Sequence, residues 1–204
     1  MKYKGKNFLI ENLKASTLAK KYSTPLYCYS YNKLKDNINY FKKIFKTLNP
    51  LICFAVKSNS NKTLLNEICK LGLGADVVSI GELMKALKAG IKPQKIVFSG
   101  VGKTSNEIDF AIKKQILLIN AESKSEILEI EKIAKEIKKI VNIGIRLNPN
   151  TDAKTLSQIS TGKKENKFGV SEKNFLKLVK YVKNSNNLEL KVFKCSHWKS
   201  NFRK

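Results

Sequence analysis

Leu51-Ile52-Cys53-Phe54-Ala55-Val56-Lys57-Ser58-Asn59-Ser60-Asn61 is a short apolar run that closes on a lysine and then turns polar. Side chains alternate along a strand, so Ile52, Phe54 and Val56 would share one face and Cys53, Ala55 and Lys57 the other. Two small residues ahead of Lys57 on its own face leave room beside its amine. The polar run Ser58 to Asn61 can cap a helix that starts near Lys62. An amine at the C-terminal end of a parallel strand stands where barrel enzymes keep their chemistry. The competing reading is an ordinary surface lysine, the default in a chain this rich in them.

Outward from this stretch the chain alternates. Strands are expected at residues 52–56, 75–78, 95–99, 117–120, 141–147 and 188–193. Helices are expected at 62–71, 80–89, 105–114, 123–139 and 172–183. Ahead of them stand a helix at 12–22, an aromatic-rich strand at 26–31 and an amphipathic helix at 32–48. Such alternation predicts βαβ units, a parallel sheet and right-handed crossovers. A closed eight-stranded barrel takes about 250 residues, more than the 204 present. Periodicity alone does not choose between a barrel and an open doubly wound sheet. The connection at 148–169 is long for a βα loop, and loops of that length are often functional.

Composition narrows the class. With 42% hydrophobic residues the chain is expected to be globular. The first residues lack an apolar run of signal-peptide length, and no stretch has the length of a membrane span. Cys28, Cys53, Cys69 and Cys195 form neither a C-x-x-C pair nor a zinc spacing, which fits reduced thiols in a cytoplasmic protein. The net charge of +24 raises a nucleic-acid or membrane-surface partner. However, the lysines are spread over nearly every segment, and only Arg146 and Arg203 are arginines, the residue that base reading and phosphate forks favour. Lys, Asn and Ile share A/T-rich codons, which accounts for the charge without a polyanion. Neither a nucleic acid nor a membrane is expected as partner.

Four features carry possible chemistry. Ser99-Gly100-Val101-Gly102-Lys103-Thr104 ends like a P-loop, but the first glycine of that motif would fall on Val97, so Gly100 and Gly102 are read as a tight turn. Asp76 sits early in an apolar strand, where a carboxylate needs a partner. That partner is either a lysine at a strand edge or a cationic or hydrogen-bonding group inside a barrel. Arg146 closes a strand in a chain that otherwise uses lysine, which points to a need for its planar fork. His197, the sole histidine, stands beside the sole tryptophan with neither a second histidine nor a cysteine pair to support a metal site.

The ordered motifs Phe54–Asn59, Gly74–Leu83, Val97–Thr104, Arg146–Pro149, Ile159–Gly162 and Asn166–Gly169 together resemble the N-terminal half of the diaminopimelate decarboxylases, a family of fold type III pyridoxal-phosphate enzymes. The resemblance covers about residues 8 to 193. It implies an α/β fold: a parallel (β/α)8 TIM-type barrel, here incomplete at about six of eight strands, with the family's C-terminal β domain missing. It implies residues 1–31 as a lead-in, 32–193 as the partial cofactor-binding barrel, and a homodimer for the full-length enzyme. It also implies decarboxylation of meso-2,6-diaminopimelate to L-lysine with pyridoxal 5'-phosphate. Carried over by residue, Lys57 is the catalytic amine that bonds the cofactor. Asp76 and Arg146 lie on the cofactor side, and His197 falls almost where a ring-stacking histidine belongs.

The chain departs from the family in three places. Thr155-Leu156-Ser157-Gln158 replaces a histidine-containing stretch, the glycine-rich phosphate loop is missing, and the tail differs. One codon choice for Cys195 to Phe202, read one base later, gives Val-His-Ile-Gly-Ser-Gln-Ile, the family's motif. Residues 194–204 are therefore expected to be an out-of-frame tail, and the chain a truncated form of weak or no activity. The alternatives are a decarboxylase of arginine, ornithine or carboxynorspermidine, or a non-catalytic protein that binds pyridoxal phosphate or a polyanion.

Overall fold

A computed structural model describes residues 1–148 and 168–195. The chain divides into two compact units, Met1–Pro50 and Leu51–Lys204. In the first, strands β1 (Lys2–Lys4), β2 (Asn7–Ile10) and β3 (Leu13–Lys14) make a small antiparallel sheet, followed by helices α1 (Ala15–Tyr22) and α2 (Tyr31–Ile44). Ser30 caps α2 by accepting from the Lys33 amide, and its hydroxyl donates to Glu11 at 2.8 Å. The Asn32 amide donates to the same carboxylate at 2.9 Å. That amide and the Ser30 hydroxyl hold the Glu11 carboxyl below its ordinary range. The strand expected at 26–31 does not form. Tyr31 is already helical, and Tyr27 and Tyr29 are exposed, so their aromatic rings carry no sheet face. The expected helix at 12–22 starts later because residues 13–14 pair with β2.

The second unit carries the alternation the sequence predicts. Its strands are β4 (Cys53–Ala55), β5 (Gly74–Val77), β6 (Ile96–Phe98), β7 (Leu118–Ala121), β8 (Val141–Asn148), β9 (Val170–Ser171) and β10 (Leu188–Cys195). The sheet order is β10-β8-β7-β6-β5-β4, with every neighbour parallel and the short β9 beside β8. Strand order follows chain order, which is how a (β/α)8 barrel grows. A doubly wound sheet would instead reverse at a switch point. The six principal strands are thus part of a TIM-type barrel.

Helices α3 (Lys62–Lys70), α4 (Ile80–Lys88), α5 (Ser105–Lys113), α6 (Lys124–Glu136) and α7 (Glu172–Lys183) follow the strands. One sheet face presents Ala75, Val77, Ile96, Phe98, Ile119, Ala121, Ile143 and Ile145, all at most 1% exposed. The helices return Leu65, Ile68, Leu83, Ile108, Ile127 and Ile130, equally buried. This apolar layer drives assembly of the unit.

The helix starts are specified locally. Asn61 caps α3, and Ser79, Thr104 and Ser123 cap α4, α5 and α6. Each of the last three is followed at the third position by a glutamate, the spacing of a capping box. Glu107 closes its box fully. Its carboxylate takes the Thr104 amide at 3.0 Å and the Ile80 amide at 3.0 Å, which ties α5 to the start of α4. Those two amides hold its carboxyl low. Gly90 follows α4 at φ 87°, the conformation a helix C-terminus favours for glycine.

Candidate active site

Strand β4 ends at Ala55, and Lys57 lies in a 3-10 turn, Val56–Ser58. The strand parity expected to place its side chain therefore does not reach it. What places Lys57 is the turn: the Ser58 hydroxyl donates to Ala55 O at 2.7 Å, and the Asn59 amide donates to Val56 O at 3.0 Å. Val56 anchors the turn, fully buried, while Lys57 is exposed. Asn61 Oδ1 then accepts from the Thr63 amide at 2.9 Å and opens α3, as the sequence predicts.

Asp76 pairs in register with Ala55, two residues before Lys57. Its carboxylate accepts from Ser99 Oγ at 2.5 Å, and Lys194 Nζ stands 3.8 Å from its other oxygen. Of the two partners the sequence left open, Asp76 therefore has a hydroxyl and a cation together. Asn120, 3% exposed, donates through Nδ2 to the same Ser99 oxygen at 3.0 Å, and Lys194 donates to it at 2.6 Å. Burial pulls the Lys194 ammonium down from its ordinary range, Asp76 opposes that, and Arg146, Glu122 and Lys57 act from further away. Asn120 Oδ1 is buried without a hydrogen-bond partner among the described residues and lies over the Cα of Gly144.

Arg146, almost fully buried, does use its guanidinium: Nη1 donates to both Glu122 oxygens at 3.0 Å. Its guanidinium carbon also lies 5.1 Å from the centre of the Phe168 ring. Glu122 Oε1 additionally accepts the Gly100 amide at 3.1 Å. Gly100 and Gly102 have φ of 94° and 75°, so this segment is the tight turn expected. Lys103 faces backbone carbonyls instead of a phosphate cradle.

The structure thus brings Asp76 and Arg146 onto one polar face at the C-terminal ends of the parallel strands, with Lys57 on the adjoining turn. His197 lies outside the described residues, as do residues 149–167 of the long loop. Sequence reading missed Ser99, Asn120, Glu122, Glu126 and Lys194. The S/T-x-x-E spacing Ser123-Lys124-Ser125-Glu126 carried a signal for Glu126. A polar residue at the inward position of an apolar strand carried one for Asn120. Nothing local marked Lys194, since its partners are Ser99 and Asp76.

Residues 31–197 match the model of the pyridoxal-dependent decarboxylase family, pyridoxal-binding domain. A diaminopimelate decarboxylase of Helicobacter pylori strain J99 is 52% identical over 168 residues, which are 82% of this chain and 42% of that protein. The Aquifex aeolicus diaminopimelate decarboxylase is 40% identical over 195 residues, covering 96% of this chain and 46% of the relative. Among solved structures, diaminopimelate decarboxylase from H. pylori complexed with L-lysine superimposes with a TM-score of 0.85 at 48% identity, over 88% of this chain and 46% of that one. A chlorella virus arginine decarboxylase shares the fold at 21% identity and a TM-score of 0.64. The chain spans less than half the length of the curated relatives it matches.

The site suits the cofactor that family binds. It offers an exposed primary amine at a barrel rim, beside a carboxylate and a cation held on a polar inner face. The motifs, the strand order and the family match agree: this chain belongs to the pyridoxal-dependent decarboxylases, matching the model of their pyridoxal-binding domain over residues 31–197.

Proposed function

We propose that the chain forms the cofactor-holding part of a decarboxylase that converts meso-2,6-diaminopimelate to L-lysine. The observation that carries this reading is the placement of Lys57, exposed on the turn after β4, next to the strand that bears Asp76. Lys57 Nζ would hold pyridoxal 5'-phosphate through the aldehyde carbon. Bound there, the cofactor supplies a pyridinium ring that takes up the electron pair left by departing carbon dioxide. Freed when a substrate amine takes its place, the Lys57 amine would serve as the acid or base that moves a proton. Asp76, fixed by Ser99, would help to position the cofactor. Arg146 is neutralised by Glu122 and acts as a rigid donor within the same network. Diaminopimelate is favoured as substrate because the curated relatives that match this chain at 40–52% identity are diaminopimelate decarboxylases. On this reading the working protein is a cytoplasmic homodimer.

The test is to add pyridoxal 5'-phosphate to the chain, record its visible absorbance, reduce with borohydride and map the modified peptide. Pyridoxyl on Lys57, absent from Lys57→Ala, is expected. Label spread over surface lysines and unchanged by that substitution refutes the reading. Release of L-lysine from diaminopimelate, compared with products from arginine and ornithine, then decides the substrate.

A further inference from the structure

The Lys103 side chain is buried, and the site chemistry gives no reason for it. It is 1% exposed and lies at the end of the β6–α5 turn. An ammonium has three donors, and all three are used: Gly100 O at 2.6 Å, Asn120 O at 2.8 Å and Glu126 Oε1 at 2.5 Å. Burying a charge is costly unless it is paired and fully hydrogen-bonded, and here it is both.

The partners of Lys103 sit next to the residues that build the polar face. Gly100 directly follows Ser99, whose hydroxyl holds Asp76. Asn120 is gripped by its backbone oxygen while its side chain holds the Ser99 hydroxyl. Glu126, the third partner, takes the Glu122 amide on its other oxygen at 3.0 Å. Glu122 in turn holds Arg146 and the Gly100 amide. One ammonium therefore clamps the ends of β6 and β7 at the points from which both arms of the site depart, one toward Asp76 and one toward Arg146.

We propose that Lys103 is the positioning residue of this site, setting the Asp76 and Arg146 side chains through Gly100, Asn120 and Glu126. It touches neither of them. Its role toward the cofactor rests on the function proposed above, whereas its control of Arg146 does not. A hydrocarbon of similar length leaves two carbonyls and a carboxylate without that donor, so the frame that Glu126 gives Glu122 loosens, and the Glu122–Arg146 pair with it.

The chain has only two arginines, Arg146 and Arg203, so the guanidinium region of a nitrogen-15 spectrum reports Arg146 almost alone. In the native chain one guanidinium should be rigid and slow to exchange with solvent. In Lys103→Met its exchange should accelerate about tenfold or more, as expected when a charged hydrogen bond of over ~1.4 kcal/mol is lost. Ile130→Val on α6, a buried apolar trim, lowers stability without touching the network and should leave that signal unchanged. If Lys103→Met fails to fold, Glu126→Gln keeps the shape and removes the ion pair, and it should loosen Arg146 in the same sense. An Arg146 signal equally protected in Lys103→Met, or in Glu126→Gln where that variant stands in, overturns the proposal. So does an equal loss in Ile130→Val, which would reduce the effect to general destabilisation. The measurement needs no cofactor. Failure of Lys57 to take up pyridoxal phosphate would sink the function and leave this result standing on its own.

Discussion

Gly144 and Asn120 form the tightest side-chain approach on the polar face, and their coupling can be measured. A methyl group added at Gly144 would lie 2.2 Å from Asn120 Oδ1 and 3.3 Å from its Cγ. Ordinary non-bonded carbon contacts are about 3.5–4.0 Å, so the amide must move by more than an ångström. Moving it breaks the Asn120 Nδ2 to Ser99 Oγ hydrogen bond at 3.0 Å, where both residues are 3% exposed. Overpacking costs about 1–3 kcal/mol, and a buried polar group left unpaired about 1–3 kcal/mol. Gly144→Ala is therefore expected to cost about 2–6 kcal/mol of stability. In an Asn120→Ala background the obstruction is gone. The nearest remaining atom is then Val192 Cγ1 at 3.4 Å, an ordinary contact, and the same substitution should cost under about 1 kcal/mol. Urea unfolding of the four proteins, followed by far-ultraviolet circular dichroism, yields the coupling energy directly. Additivity within about 0.5 kcal/mol would refute the argument, because it would mean that the two groups do not meet.

Three further outcomes are expected. Gly74→Ala would put its methyl 2.2 Å from the backbone oxygen of Lys95, and a backbone atom cannot swing away; stability measured by urea should fall, and Cys53→Ala, which removes the thiol at 2.9 Å, should not restore it. Glu107 has its folded pKa held down by the Thr104 and Ile80 amides. Its contribution is therefore complete above the unfolded carboxylate range near ~4.3 and is lost as pH falls through the folded value. Glu107→Gln should cost about 1 kcal/mol at pH 7 and flatten the acid side of the stability profile; an unchanged acid slope would count against the capping box. Burial, with Asp76 adding to it, pushes the Cys53 thiol up to about 11. Its reaction with an aromatic disulfide should be slow at pH 8 and rise about tenfold per pH unit up to pH 10, since the thiolate is the reacting species; a rate already level at pH 8 would contradict this.

Much of the barrel was legible because its period is redundant. Alternating apolar strands and amphipathic helices repeat, and each helix from α3 to α6 opens on a capping residue. The helix at Glu172–Lys183 falls where the pattern put it. The errors lie where local signals mislead. Tyr27 and Tyr29 have strand propensity but no sheet to join, and residues 2–14 are too short and lysine-rich to read as strands. At the site, strand parity does not place Lys57, because the strand ends two residues earlier and a 3-10 turn carries it instead. Arg146 was marked by being an arginine where lysine prevails, and Glu122 shows what the fork is for. Lys103 drew notice for a phosphate it does not face. Its actual partners are Gly100 O three residues back, and Asn120 O and Glu126 Oε1 at 17 and 23 residues along the chain. Contacts at that separation leave no periodic trace.

The sheet's order also bears on how it forms. From β4 to β8 each parallel pair joins strands with one α-helix between them, and among the described residues β9 and α7 lie between β8 and β10. No pairing among the described strands of the second unit spans the whole segment, so each loop closed is short and its entropic cost modest. A chain leaving the ribosome N-terminus first can lay β5 on β4, then β6 on β5, as each helix clears the exit tunnel. In that sequence of events Lys103 is made before Asn120 and Glu126, and it waits in solvent as an ordinary exposed ammonium. Its partner set is complete only when β7 and the first turn of α6 are in place, so the clamp cannot close before β7 lies on β6.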